Sequence, residues 1–257
     1  MDLGITGRTA LVLGATSGLG RATSEALAAE GVRVVVVGRR RELVEELATS
    51  LPSAAGVVAD LTEPGAPARI VAEAEASVGP IDVLVLNGGG PKPGVAEQLG
   101  GEDVDAAVAL LVRPHVALVR AVLPGMVERG WGRILAVGSS GVQQPLSNLT
   151  SSNLGRAALA GYLKTLAAEV AGRGVTVNMV LPGRIDTDRV GQLDQAGAER
   201  TGRTPAEVRT AAEGTIPTGR YGRPAEFGAV VTFLAGEPAS YVTGEQVRVD
   251  GGLVRHH

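Results

Sequence analysis

The sequence contains no cysteine and very few aromatic residues. The absence of cysteine from its 257 residues excludes disulfide bonds, thiolate catalysis and cysteine metal sites, and we expect no metal centre. Aromatic residues make up only 2% of the chain, although hydrophobic residues make up 44%. The core must therefore consist mainly of Ala, Val and Leu, which suits helices packed closely on a parallel sheet.

Strong net charge and long apolar runs are also missing. A net charge of −3 gives no reason to expect a nucleic-acid partner. We find no apolar run long enough to span a membrane, and residues 1–4 do not have the layout of a signal peptide. A cytoplasmic protein is therefore expected. The final His256 and His257 fit either a native end or the remnant of a tag.

Short apolar runs alternate with helical patterns along the whole chain. The predicted strands are 9–13, 32–37, 56–59, 81–86, 133–137, 175–180 and 246–249. The predicted helices are 21–30, 42–50, 62–78, 102–129, 150–171 and 224–234, the fourth with kinks at Pro114 and Pro124. This alternation predicts an α/β fold with a doubly wound parallel sheet, in a single domain over residues 1–257.

A long polar segment interrupts this alternation at residues 186–217. It carries one helix signal, a capping box from Thr204 to Glu207 with Pro205 at the first helical position. Because a loop of this length in a compact domain is usually functional, we predict a lid over a substrate. Its charges are too mixed to indicate the charge of that substrate.

A glycine-rich turn follows the first predicted strand. Gly14, Gly18 and Gly20 punctuate the connection to the first helix. Glycine lets the backbone approach phosphate oxygens, and a helix N-terminus presents free amides to them. The pattern predicts a dinucleotide pyrophosphate site, although three glycines alone also fit an ordinary turn from a strand into a helix.

The ends of the later strands carry further binding candidates. Arg39 and Arg40 follow the second strand, where arginine accommodates a ribose 2′-phosphate, so we favour NADP(H) over NAD(H). The alternative is a solvated basic start to the next helix. The bare segment from Asn87 to Pro91 ends the fourth strand, and we expect it to lie against the cofactor.

These motifs, in this order and spacing, resemble the short-chain dehydrogenase/reductase family over nearly the whole chain, and its 3-oxoacyl-carrier-protein-reductase-like branch most closely. The matching pieces are Gly14–Gly20, Asp60-Leu61, Asn87–Gly89, Ser139-Ser140, Asn178–Gly183, Asp186-Thr187 and Val249–Gly252. The resemblance implies a Rossmann fold, a nicotinamide dinucleotide and a homotetramer. The cofactor-binding residues it implies are Gly14, Thr16, Ser17, Gly18, Leu19, Gly20, Arg39, Arg40, Asp60, Leu61, Asn87, Gly88, Gly89, Arg156, Pro182, Gly183, Ile185 and Thr187.

The catalytic positions depart from the family pattern. The family uses an asparagine, a serine, a tyrosine and a lysine, and by position only Ser140 matches. Leu111 stands at the asparagine position, Ser152 at the tyrosine position and Arg156 at the lysine position. A serine hydroxyl is a much weaker acid than a phenol, and arginine can bind ribose hydroxyls but cannot relay a proton.

Another residue could supply the proton. His115 lies one helical turn after Leu111 and has a suitable side chain, although packing beside Pro114 is the simpler interpretation. Tyr162 is expected to pack in the core, whereas Tyr221 could reach the pocket from the end of the lid.

Three functions remain open. The chain could be an NADP(H)-dependent oxidoreductase acting on a small molecule such as a quinone, enone or imine, for which the tyrosine matters less. It could be a non-redox isomerase, lyase or cyclase, or a catalytically silent cofactor-binding protein. The glycine turn, Arg39 and Asp60 favour the first.

Overall fold

A computed structural model describes residues 1–255, so His256 and His257 lie outside the described residues. Its strands form one seven-stranded sheet in the order β3-β2-β1-β4-β5-β6-β7. All neighbouring strands are parallel. The strands are β1 (Thr9–Val12), β2 (Arg33–Gly38), β3 (Ala54–Val58), β4 (Val83–Leu86), β5 (Gly132–Val137), β6 (Val175–Pro182) and β7 (Gln246–Val249). The predicted doubly wound α/β fold is confirmed.

Helices cover both faces of this sheet. They are α1 (Gly18–Ala29), α2 (Arg41–Ser50), α3 (Ala66–Val78), α4 (Gly101–Leu111), α5 (Arg113–Glu128), α6 (Thr150–Val170), α7 (Asp188–Thr201), α8 (Pro205–Glu213) and α9 (Pro224–Ala235). Side chains alternate across each strand, so Leu11 joins a core with α3, α5 and α6, whereas Val12 joins a core with α1, α2 and α9. Both faces are therefore buried, as the Ala- and Val-rich composition predicts.

The helix predicted over 102–129 is two helices. The chain breaks at Val112, where φ is −119° and ψ is −61°. Pro114 falls in the first turn of α5, where its missing amide would have no helical partner in any case, whereas Pro124 lies inside α5. Pro114 thus begins a new helix instead of kinking a continuous one.

Two other predicted elements also differ. Helix α3 begins at Ala66 instead of Thr62, because Thr62 donates its backbone amide to the Asp60 carboxylate in a local turn (2.9 Å). The polar segment 186–217 contains α7 in addition to the predicted α8. Thr187 caps the start of α7, and Gly202 ends it at φ +67°.

The sequence prediction that no apolar run is long enough to span a membrane is wrong for Gly101–Glu128, which is long and apolar enough by length and composition alone. In the structure it is divided between α4 and α5, and Leu118, Val119 and Met126 of α5 are buried in the core beside the sheet. This packing is typical of core helices.

Candidate functional site

The glycine turn after β1 folds tightly under the start of α1. Gly14 and Gly18 have φ values of +55° and +52°, which residues with a Cβ rarely adopt. A Cβ on Gly20 would lie 2.1 Å from the Gly14 carbonyl oxygen. All three positions therefore require glycine.

The N-terminus of α1 is open to a ligand. Ser17 is its N-cap but makes no side-chain capping hydrogen bond, and the first turn, which includes Leu19, contains no acidic residue. The first amides of α1 therefore have no side-chain acceptor, and the positive end of the helix dipole is not neutralised. This arrangement fits a dinucleotide pyrophosphate.

Three strand ends meet at this turn. Asn87, at the end of β4, donates its side-chain amide to the Gly14 carbonyl (3.3 Å). A Cβ on Gly18 would lie 3.2 Å from the Thr187 methyl group, and a Cβ on Gly38 would lie 2.6 Å from the Thr16 methyl group. The structure therefore brings residues from distant parts of the sequence around the turn.

Other candidates for cofactor binding follow the ends of β4 and β6. Gly88 and Gly89 follow Asn87 directly. Pro182 ends β6. Gly183 follows it and packs closely on Asp250, because a Cβ added to Gly183 would lie only 2.7 Å from the Asp250 Cα atom. Ile185 is buried and forms an isolated β-bridge with Gly222.

Arg39 and Asp60 lie together where β2 and β3 end. Their closest side-chain atoms are 3.7 Å apart, and the Arg39 side chain is 77% exposed. Hydrogen bonds from Thr62, followed by the nearby Arg39 charge, hold the pKa of Asp60 below its usual value. Arg40 is exposed at the start of α2. Leu61 lines a cavity of about 360 Å³ beside α3 and α5.

The serine and arginine at the catalytic positions are joined. Arg156 donates one guanidinium hydrogen bond to the Val137 carbonyl at the end of β5 (2.7 Å) and another to the Ser152 hydroxyl (3.4 Å). Ser140 is buried three residues after Val137. Burial, and then the charge of Arg189, lower the pKa of Arg156 to about 10, so it remains a cation at neutral pH.

Leu111 packs against α6 next to this group, and His115 lies one helical turn after Leu111. Leu111 is buried, and a Cβ on Gly155 would lie 2.7 Å from its Cδ1 atom. His115 is 3% exposed, and its Nδ1 atom is 2.8 Å from the Leu111 carbonyl oxygen. Because a carbonyl only accepts, we assign the proton to Nδ1. The buried Nε2 atom has no hydrogen-bond partner in residues 1–255 and lies 3.9 Å from the position of a Cβ on Gly88.

The environment of His115 keeps it neutral. Burial lowers its pKa most, and the Arg156 charge lowers it further, while the Leu111 and Asn87 carbonyls act in the opposite direction. In the assigned tautomer Nε2 is a hydrogen-bond acceptor and has no proton to donate.

The three tyrosines of the chain all lie outside this group. Tyr162 packs against the core and Tyr241 is fully exposed. Tyr221 is 4% exposed and donates its hydroxyl to Asp194 of α7 (3.0 Å). The expectation that Tyr221 could reach the pocket is therefore wrong, because the lid itself binds its hydroxyl.

Sequence reasoning missed Arg189 as a site residue. In the first turn of α7, its guanidinium donates to the Pro91 carbonyl (3.4 Å) and lies 3.2 Å from a Cβ on Gly90. Arg209, another lid arginine, instead pairs with Asp186 (2.9 Å) and Glu213 (3.0 Å). The sequence shows only a mixture of lid charges, and the fold separates them.

Several known proteins are similar to this chain along nearly its whole length. Residues 14–254 match the family model described as enoyl-(acyl carrier protein) reductase. Nodulation protein G of Azospirillum brasilense is 34% identical over 258 residues, which cover 96% of this chain and 98% of that protein. The 3-oxoacyl-(acyl-carrier-protein) reductase of Escherichia coli K12 is 32% identical over 250 residues, with 96% and 97% covered. L-sorbose reductase from Gluconobacter frateurii, solved with NADPH and L-sorbose, has a TM-score of 0.94 and 31% identity, with 100% of both chains covered.

Proposed function

Because this chain belongs to the short-chain dehydrogenase/reductase family, in its 3-oxoacyl-carrier-protein-reductase-like branch, we propose that it is an NADP(H)-dependent reductase of activated small molecules. By activated we mean enones, quinones or imines, which accept hydride more readily than simple ketones. The observation that carries this proposal is the hydrogen-bonded Arg156–Ser152 pair, which has no tyrosine beside it in residues 1–255. We align these two residues with the family's lysine and tyrosine.

Binding of the cofactor is assigned to residues along the carboxyl edge of the sheet. The first amides of α1 would hold the pyrophosphate, and Arg39 would hold the 2′-phosphate. The related L-sorbose reductase was solved with NADPH, which supports the same cofactor here. When bound, NADPH supplies the hydride.

The residues at the catalytic positions suit a substrate whose oxygen gains negative charge. When hydride adds to the β-carbon of an enone, the π electrons move to the carbonyl oxygen and form an enolate. Arg156 remains cationic and can stabilise that oxygen, together with hydroxyl donors from Ser140 and Ser152. Water then protonates the α-carbon, so no side chain has to give up a proton.

Simple ketones differ, because hydride addition gives a localised alkoxide that must be protonated as it forms. We do not assign that proton to His115, since its Nδ1 proton is bonded to the Leu111 carbonyl and its pKa is lowered. Loss of a general acid costs about 10²- to 10⁴-fold in rate. Ketone reduction should therefore be slow.

The proposal is tested by NADPH consumption with a quinone, an enone and a simple ketone, beside a cofactor titration. We expect turnover of the quinone or enone and very slow reduction of the ketone. Rapid ketone reduction that survives Ser152→Ala would contradict the assignment. Tight NADPH binding without turnover of any substrate would instead favour the isomerase, lyase or cyclase, or the silent cofactor-binding protein.

We also propose that the protein acts in the cytoplasm as a homotetramer. Support comes from apolar surface near β7, which is an edge strand of the sheet. Tyr241 is fully exposed there, and Phe233 of α9 is 38% exposed. Ala157, Ala158 and Gly161 form a small exposed surface on α6 in which a second helix could pack closely, whereas Ala160 faces the core.

A further inference from the structure

Two arginines without an acidic partner in residues 1–255 lie beyond the carboxyl ends of the neighbouring strands β4 and β5. Arg156 reaches the end of β5 from α6, and Arg189 reaches Gly90 and Pro91 from α7. Within residues 1–255 neither guanidinium lies within ion-pair distance of a carboxylate. The charge of Arg189 instead acts on Arg156 with the same sign.

The placement of Arg189 is held by the lid. Thr187 caps α7 two residues earlier, and one and a half turns later the buried Asp194 accepts hydrogen bonds from Arg184 (2.7 Å) and Tyr221 (3.0 Å). These contacts tie α7 to the segments that precede and follow the lid. Arg189 is therefore held beside Gly90 and Pro91, and no carboxylate within residues 1–255 pairs with it.

The phosphates of a dinucleotide would lie elsewhere. The pyrophosphate belongs at the glycine turn after β1, and the 2′-phosphate belongs at Arg39 after β2. The sheet order runs from β2 through β1 and β4 to β5, so Arg156 lies on the side of β1 opposite to Arg39. With strands about 4.8 Å apart, the end of β5 is about 10 Å from that of β1 and about 14 Å from that of β2.

We infer that the substrate carries a carboxylate and that Arg189 binds it, while Arg156 remains free to stabilise the reacting oxygen. The inference rests on the proposed function, because it names the substrate class of the same site. Arginine binds a carboxylate through two parallel, charge-assisted hydrogen bonds. The negative charge of a carboxylate at Arg189 would also offset the repulsion that the Arg189 charge exerts on Arg156.

The inference is tested with cinnamate and its neutral counterpart cinnamamide, titrated by calorimetry into the protein with and without NADPH. We expect wild type to bind cinnamate about tenfold or more tightly than cinnamamide. Arg189→Gln should remove this preference without changing the NADPH Kd, and Arg189→Lys should keep part of it. Arg200→Gln, at the last turn of the same helix, is the matched control and should behave as wild type.

Equal binding of the two probes by wild type would overturn the inference. It would also be overturned if Arg189→Gln weakened NADPH and kept the preference for cinnamate, because Arg189 would then serve a cofactor phosphate. Failure of the proposed function is separate: it would appear as absent NADPH binding or turnover, whereas the preference for cinnamate is measured without either.

Discussion

Arg156, which the sequence aligns with the family's lysine, is a partly buried cation held by two hydrogen bonds. Its guanidinium bonds both the end of β5 and the Ser152 hydroxyl one turn earlier on α6. Ser152 thus accepts from a cation, and no phenol stands beside it. On the proposed alignment with the family's tyrosine and lysine, this pair would stabilise negative charge without supplying an acid.

Restoring that acid is expected to restore ketone reduction. In Ser152→Tyr with Arg156→Lys, the phenol should regain an acid that a nearby lysine activates. We expect part of the missing 10²- to 10⁴-fold in kcat with a simple ketone, measured by NADPH consumption. Each single change should recover less, because the two side chains act as a unit. A double variant no faster than wild type, although it binds NADPH, would speak against the assignment.

Removal of Arg39 is expected to weaken NADPH binding selectively. Its guanidinium lies 3.7 Å from the Asp60 carboxylate, and its side chain is largely exposed. We expect Arg39→Ala to lose about 1.5–3 kcal/mol of NADPH binding and to leave NADH binding nearly unchanged, as measured by titration. Arg41→Ala is the matched control, because Arg41 pairs with Glu45 on α2 (3.3 Å). Equal affinities for the two cofactors in wild type would refute the preference.

Because of His115, the free energy of unfolding is expected to fall as the pH becomes mildly acidic. Burial lowers its folded-state pKa from the ordinary value of 6.5, so between these two values only the unfolded chain takes up the proton. Its contribution is therefore complete above about pH 6.5 and is lost as the pH falls below that value. Urea unfolding at about pH 7.5 and 5.5 should show a larger loss for wild type than for His115→Gln. Identical losses would disprove this coupling.

At the scale of elements, the lid is a pair of helices with its own polar core. Asp194 of α7 is buried between Arg184 and Tyr221, and the Arg209 guanidinium of α8 lies 4.6 Å from the centre of the Tyr221 ring. Burial, the largest cause, and the Asp194 carboxylate raise the pKa of Tyr221 to about 12, so its hydroxyl stays protonated and keeps donating. The segment predicted as a long loop is therefore an ordered pair of helices.

Loss of the Tyr221 hydroxyl is expected to loosen the packing of α7 and α8. Tyr221→Phe leaves the buried Asp194 with one donor fewer, and bonds to charged groups contribute about 1.5–3 kcal/mol. We expect a loss of that order in urea unfolding and faster proteolysis within 186–217. Tyr241→Phe, at a fully exposed ring, should change stability by less than about 0.5 kcal/mol. Equal effects of the two changes would show that the hydroxyl does not hold the lid.

For the whole molecule, the parallel sheet explains why candidate site residues that are far apart in sequence lie near one edge. All seven strands run the same way, so their carboxyl ends lie along one edge. The other exposed feature is the apolar surface beside β7, where the sheet ends. Open strand edges and exposed aromatic side chains are commonly covered by a second copy.

Sedimentation at micromolar concentration is expected to show a tetramer. Phe233→Asp should split it, because the change would bury a charge in an otherwise apolar contact. Val95→Asp is the matched control, since Val95 is 37% exposed, close to the 38% of Phe233, but lies before α4. A wild-type monomer, or an assembly unaffected by Phe233→Asp, would rule out this interface.

The sequence alone determined the strands, the glycine turn and the family, because each depends on local patterns. Short continuous apolar runs and glycines that need positive φ can be recognised within about ten residues. The α8 cap at Thr204 was predictable for the same reason, and the α7 cap at Thr187 carried a similar but weaker signal.

Only the tertiary structure decided what the side chains at the site contact. Arg189 meets Pro91 across 98 residues, and Tyr221 meets Asp194 across 27. No local pattern separates Arg189 from Arg209, because both are arginines on helices of the 186–217 segment. Only packing directs Arg189 to Pro91 and Arg209 to Asp186. The same holds for His115, whose neutral state follows from burial that neighbouring elements impose.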